Sequence, residues 1–294
     1  SEMKQSTGEK IFSAFNYLIL TFLAVVCIVP VWHVLCASFS DPYAVATSHN
    51  FILHPLQTFQ TEAYKIILSY DGLWRGYLNT IIYVVCQCVL AVIFSSIGGY
   101  VLSRKGLRYK SIFTLLLVIP MMFNGGMVPT FIVMQQLHLL DTALVMILPG
   151  SMNVLYFIFM RIAIESIPPD LEESARLDGA SDLRIMIQII LPLCKATIAV
   201  IVLFTAVAKW NDYMSALIYL PTRTDLYPLQ MSIRSILESA NSITNATQAI
   251  ENANAYSQLV EYAVIVVSIL PIMCVYPFVQ KYFVKGVTLG AVKG

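Results

Sequence analysis

Long intervals without a single Asp, Glu, Lys or Arg leave this chain few folds to choose from. Ile11–Ser40, Gly76–Ser103, Ser111–Leu140, Thr142–Met160 and Tyr262–Gln280 carry no charged side chain, and Ile185–Ala208 carries only Lys195. A bilayer core about 30 Å thick is crossed by about 20 helical residues. A charge at the centre of such a helix costs about 2.5–3.5 kcal/mol on insertion scales, so charge-free stretches of this length are what a spanning helix requires. The rest of the composition agrees, with 58% of the 294 residues hydrophobic and 12% charged. An ordinary soluble domain has about 25% charged residues. Half that share cannot cover a soluble globule of this size, and the mean hydropathy is +0.74. The net charge of +1 gives no excess that points to nucleic acid.

The expected fold is therefore an all-α membrane protein with six transmembrane helices in one domain, 1–294. The spans lie at roughly 11–38, 77–103, 111–129, 142–161, 190–213 and 260–282. The third interval is too broken for one straight helix. Pro120, Gly125, Gly126 and Pro129 predict a stop near Met122, followed by a partly helical exposed segment running to His138. The first apolar run is about twice as long as a signal-peptide h-region, so it is expected to be a span and not a cleaved leader. The six cysteines sit inside apolar stretches, which suits packing better than a disulfide framework. Cys86 and Cys88 are two apart, which turns them to opposite sides of a helix.

Six spans that begin inside also end inside, so both termini are expected in the cytoplasm. Thirteen Lys and Arg then fall on inner segments, among them Lys10, Arg104, Arg108, Arg161, Arg176 and Arg184. The outer segments hold only Lys65, Arg75, Arg223 and Arg234, with Lys209 near the outer end of span five. That is the positive-inside asymmetry.

The largest inner piece, roughly 165–185, carries most of the information. Pro168 and Pro169 followed by Asp170, Glu172 and Glu173 start a helix, because proline is tolerated in the first turn and acids suit its positive dipole end. Leu171, Ala175 and Asp178 recur at helical spacing, and Ser174, Ala175 and Ala180 are small enough for close approach. Gly179 suits a left-handed C-terminal turn, and Ser181 or Asp182 can open the next helix toward Leu191-Pro192. From these residues alone, an interfacial connector and a docking element are equally open.

Glu173-Ser174-Ala175-Arg176-Leu177-Asp178-Gly179-Ala180, with Leu191-Pro192 beyond it, resembles the EAA motif of ABC-importer permeases; Ser174 stands where alanine is usual. The resemblance implies a coupling helix that docks on an ATPase subunit through Glu173, Ser174, Ala175, Asp178, Gly179 and Ala180. Tyr100-Val101-Leu102-Ser103-Arg104 and Trp210-Asn211 are similar to elements of the carbohydrate, maltose-type permeases. The tail from Lys285 to Gly294 resembles the ending of that family and implies an ATPase contact through Gly290, Lys293 and Gly294. Met122–Thr130 and Leu137–Thr142 look like the branch that handles larger oligosaccharides, alginate among them.

The resemblance implies several partners. These are a second homologous permease, two copies of a cytoplasmic ABC ATPase, an extracellular solute-binding protein and the lipid of a bacterial cytoplasmic membrane. ATP and Mg would be bound by the ATPase, with no cofactor in this chain. Residues that could line a sugar path are Asn124, Asn153, Tyr156, Trp210, Asn211 and Asp212, since amides and aromatic faces suit sugars and polar groups near span ends avoid lipid. Trp210 has interfacial anchoring as its alternative role. His33 is expected to be a satisfied interfacial histidine.

No catalytic or metal-binding constellation emerges. The sequence lacks a phosphate loop, a His-Glu-x-x-His pair and a Gly-x-Ser-x-Gly elbow. A membrane-embedded enzyme would need clustered acids or histidines at one membrane face. A secondary transporter would usually need ionisable residues at mid-span. A permease for a non-sugar solute stays open as the nearer alternative.

Overall fold

The computed structural model describes residues 7–48, 50–104, 106–123, 125–246 and 257–274. It divides into two compact units, Ser1–Tyr70 with Ser235–Leu270, and Asp71–Arg234 with Pro271–Gly294. Helix is the only regular secondary structure among the described residues. Three helices (Gly8–Ser38, Asp71–Ser103 and Ser257–Cys274) are long and apolar enough to cross a membrane. Three bent pairs pass the same test together: Lys110–Met122 with Met127–Gln136, Ala143–Ser151 with Val154–Glu165, and Asp182–Leu193 with Lys195–Trp210.

In the first unit, the leading helix is apolar on every side and almost wholly exposed, as a helix solvated by lipid is. Its far end is different, with Cys36, Ala37, Ser38 and Ser40 all buried. There the chain turns back and satisfies its polar groups locally. Ser40 Oγ donates to the Cys36 carbonyl at 2.7 Å and accepts from Leu56 N at 2.9 Å. Asp41 caps the short helix Pro42–Thr47 by accepting from Tyr43 N and Ala44 N. Phe39 lies between the rings of Phe59 and Tyr64, with centroids 4.8 and 4.9 Å away. His33 accepts a hydrogen bond from Ile52 N at 2.9 Å and meets Phe51 and Tyr262 edge-on, which makes it the satisfied histidine the sequence suggested.

The second unit is built around Asp71–Ser103, which packs along Val154–Glu165 and Lys195–Trp210. Without a strong hydrophobic drive between helices in lipid, small residues set how closely such helices approach. Gly99 is the clearest case. A Cβ there would lie 2.7 Å from Met160 Cβ and 2.9 Å from the Arg161 backbone nitrogen. Beside this crossing, Tyr156, Met160, Ile164, Ile185, Ile190 and Ile201 form a buried apolar cluster. At the other end of the long helix, Asn79, Thr80 and Tyr83 hold the loop before Leu229. Asn79 donates to the carbonyls of Asp225 and Tyr227, Tyr83 to that of Leu226, and Thr80 Oγ1 accepts from Leu229 N at 2.7 Å.

The third interval breaks where proline and glycine placed the stop: one helix ends at Met122 and the next runs Met127–Gln136. Span five, read in sequence as continuous over 190–213, is not straight. A π-helical turn at Met186–Ile190 and Pro192 precede an 81° bend, and Lys195 opens the second arm. Proline removes an amide donor and crowds the preceding turn, while a π turn inserts an extra residue, so both loosen the helix at this point. Cys86 is exposed and Cys88 is buried, with its thiol 3.6 Å from the Val202 carbonyl, as their two-residue spacing requires.

Candidate functional site

The segment 165–185 folds into two short helices around a tight turn. Pro168 and Pro169 open Pro169–Leu177, with Asp170 and Glu172 in its first turn and Arg176 in its last. Asp178 is the C-cap, and Gly179 follows at φ +81°. Gly179 N donates to the Arg176 carbonyl and Ala180 N to that of Ala175, both at 3.0 Å. This crossed pair is the Schellman arrangement, which calls for a residue without a Cβ at the left-handed position. The next helix, Asp182–Ile185, begins after Ser181, whose side chain makes no capping bond.

Four carboxylate and guanidinium side chains brace this turn. Glu172 accepts from Arg104, just beyond the long helix Asp71–Ser103, and from Arg176 at 3.2 Å. Arg176 reaches Asp182 at 2.6 Å, and Arg104 lies 3.6 Å from the same carboxylate. The Arg104 guanidinium also stacks over the Tyr100 ring, 3.9 Å from its centroid. Burial pulls the Arg104 pKa below its ordinary value, reinforced by the like charge of Arg176 and opposed by Asp182. Arg104 and Glu172 are only partly exposed, 26% and 20%, yet solvent still reaches the set, and ion pairs that water reaches contribute about 0–1 kcal/mol each. The brace therefore matters for position more than for stability, because it ties the turn to the end of the long helix. Arg104→Gln is expected to lower thermal stability by less than about 1 kcal/mol. Stimulated transport should nevertheless fall several-fold, and a purified assembly assayed for both quantities checks this.

The six coupling candidates divide by exposure. Glu173, Ser174, Asp178 and Gly179 are exposed. Ala175 and Ala180 are half-buried against the apolar cluster of their own unit, so their small size fits the turn to the body. Leu177, which the sequence reading passed over, is 89% exposed at the end of a polar helix. An apolar residue between Arg176 and Asp178, two positions before a glycine, was the signal available.

A second polar feature is a cavity of about 310 Å³ lined by Gln87, Gly150, Lys209, Asp212, Ser215 and Tyr219, among others. Lys209, only 6% exposed, pairs with Asp212 at 2.8 Å. The second Asp212 oxygen accepts from Ser215 N at 3.0 Å. Of the path candidates, Asp212 lines this cavity. Asn211 donates to the Val207 carbonyl of its own helix. Asn153 caps Val154–Glu165 through Leu155 N. Tyr156 lies in the apolar cluster, and the Trp210 ring is 6.3 Å from that of Tyr77. Asn124, Gly290, Lys293 and Gly294 lie outside the described residues. Among the described residues no group of three or more His, Cys, Asp or Glu could hold a metal ion.

Helices long and apolar enough to cross a membrane, a braced helix turn and a polar cavity between helices are features that suit a membrane transport component. Comparison with known proteins makes the class specific. The chain matches the family described as binding-protein-dependent transport system inner membrane component over residues 10–289. It belongs to that family, and so is a transport permease subunit and not an enzyme. YtcP of Bacillus subtilis (strain 168), a polygalacturonan/rhamnogalacturonan transport system permease protein, is 38% identical over 97% of this chain and 99% of its own length. The arabinooligosaccharides transport system permease protein AraQ of Halalkalibacterium halodurans is 27% identical over 99% of this chain and 100% of its own. The crystal structure of a bacterial ABC transporter involved in the import of the acidic polysaccharide alginate contains a chain with a TM-score of 0.84. That chain is 33% identical, with 96% of this chain and 99% of that one covered.

Proposed function

We propose that this chain is one of two permease subunits of an ATP-driven importer that moves oligosaccharides across a bacterial cytoplasmic membrane. The second subunit is a homologous permease, two copies of an ABC ATPase bind inside with ATP and Mg, and an extracellular solute-binding protein delivers the glycan. Membership of a binding-protein-dependent family, with relatives named for polygalacturonan, arabinooligosaccharide and alginate transport, supports the substrate class. Counting each bent pair as one crossing gives six spans, and the excess of Lys and Arg on alternate segments supports cytoplasmic termini.

The observation that carries the coupling role is the exposed edge Glu173, Ser174, Leu177 and Asp178 on a helix whose other side is braced to its own body. A short helix fixed at its base and bare at its tip is suited to enter a groove on the ATPase. The tail residues Gly290, Lys293 and Gly294 add a second contact in this reading. ATP-driven closure of the ATPases moves the two coupling helices, and the paths open alternately to the two sides of the membrane.

Reconstitution tests the reading. The purified chain alone should hydrolyse no ATP, and uptake should require the second permease, the ATPase and ATP together. Leu177→Glu is expected to reduce co-purification of the ATPase at least about tenfold, since a desolvated apolar anchor is worth about 1.5–3 kcal/mol. Uptake by the chain without an ATPase overturns the proposal.

A further inference from the structure

We propose that the cavity around Gln87 is a glycan subsite that reads uncharged hydroxyl groups, even where the glycan itself is acidic. The inference rests on the oligosaccharide-permease reading above and deepens it. Gln87 lies at the middle of Asp71–Ser103, only 6% exposed, and its side-chain carbonyl is buried with no hydrogen-bond partner. An amide in that condition at membrane depth is costly unless something polar visits it. The cavity wall also includes Pro149 and Gly150, the latter directly against the Gln87 side chain, next to the 46° bend between Ala143–Ser151 and Val154–Glu165. Interrupted backbone at membrane depth is tolerated where it is buried in protein or lines a wet cavity, and substrate sites of transporters recur at such breaks.

The charge balance selects the ligand chemistry. Among the described residues Lys209 is the one cation in the wall, and Asp212 already neutralises it at 2.8 Å. Both Asp212 oxygens are engaged, by Lys209 and by Ser215 N. What is left to offer is a neutral set: the Gln87 carbonyl as acceptor, with the Gln87 amide and the remaining Lys209 N–H groups as donors. A sugar hydroxyl donates and accepts at once and matches that set. A carboxylate, which only accepts, would meet Asp212 as a like charge and leave the Gln87 carbonyl without a donor. The volume of about 310 Å³ suits a piece of a glycan rather than a single water.

Gly150 supplies a test that removes no polar atom. A Cβ at position 150 would lie 2.2 Å from Gln87 Nε2, at the free end of a flexible side chain, so Gly150→Ala should displace the amide without disturbing the backbone. The complete importer is reconstituted in proteoliposomes with its binding protein, and uptake of trigalacturonate and of its carboxyl-reduced neutral counterpart is measured beside ATP hydrolysis. Gln87→Leu and Gly150→Ala should each lower the glycan carried per ATP at least fivefold, for both probes alike, and Gln87→Asn should restore part of it. Unchanged stoichiometry in Gly150→Ala and Gln87→Leu, with the wild type transporting normally, overturns the subsite. A loss confined to the acidic probe overturns the hydroxyl assignment. Failure of the wild-type assembly to couple uptake of any glycan to ATP refutes instead the permease reading beneath it.

Discussion

Gly179→Val is expected to lower ATP-driven uptake by tenfold or more while leaving the chain inserted and folded. Position 179 sits at φ +81°, and apart from its own chain neighbours nothing lies within 4 Å of where a Cβ would stand, so the penalty is one of local backbone conformation and not of packing. A left-handed conformation costs an L-residue about 1–2 kcal/mol, and a β-branched side chain is at the upper end. That sum is too small to unfold a membrane domain. It is enough to open a turn held by two backbone hydrogen bonds, Gly179 to Arg176 and Ala180 to Ala175. The exposed edge of Pro169–Leu177 would then meet the ATPase at another angle. Asparagine tolerates the left-handed region, so Gly179→Asn should retain most of the uptake. Equal transport by the Val and Asn variants would show that the turn does not aim the helix.

Gly99→Leu should act at a different level, on whether the subunit accumulates at all. A Cβ at 99 would stand 2.9 Å from the Arg161 backbone nitrogen and 2.7 Å from Met160 Cβ, and neither atom can step aside alone. Overpacking of this kind costs about 1–3 kcal/mol for a methylene or two, and a full leucine side chain adds more. Membrane-inserted protein should fall several-fold on immunoblot. Met160→Ala should not rescue it, since that change leaves both the Cβ and the backbone nitrogen in place. Gly106→Ala, where nothing lies within 4 Å, is the matched control and should accumulate normally. Normal levels of Gly99→Leu would mean that the two helices do not cross as closely as this.

The charge-free intervals, the stop near Met122 and the turn at Gly179 were legible in the sequence because each follows from a local rule. Insertion cost forbids charges at mid-span, proline removes a donor, and glycine alone enters the left-handed region at low cost. The cavity was legible only in part. Asn211 and Asn153 have the right chemistry for sugars, yet each is spent on nearby backbone, one on the Val207 carbonyl and one on Leu155 N. Residue type does not reveal whether a polar group at a helix end is already satisfied by its own chain. Gln87 was the opposite case: a lone amide amid an apolar run, whose importance depends on Gly150 and Lys209, 63 and 122 residues away in sequence. The brace was hidden for the same reason, since Arg104 and Glu172 meet only once the long helix and the turn are packed together.

The bend at Cys194 has a mechanical consequence. Asp182–Leu193 leads from the braced turn, and Lys195–Trp210 carries Lys209 at its far end, with 81° between the two arms. At nearly a right angle, thrust along the first arm is delivered to the second almost entirely sideways. If the ATPases push on the turn as proposed, the pair would act as a bell crank, in which a push along one rod swings the other about the pivot. A displacement of a few ångströms at the turn end of the first arm would then tilt a 16-residue arm, about 24 Å long, without stretching either helix.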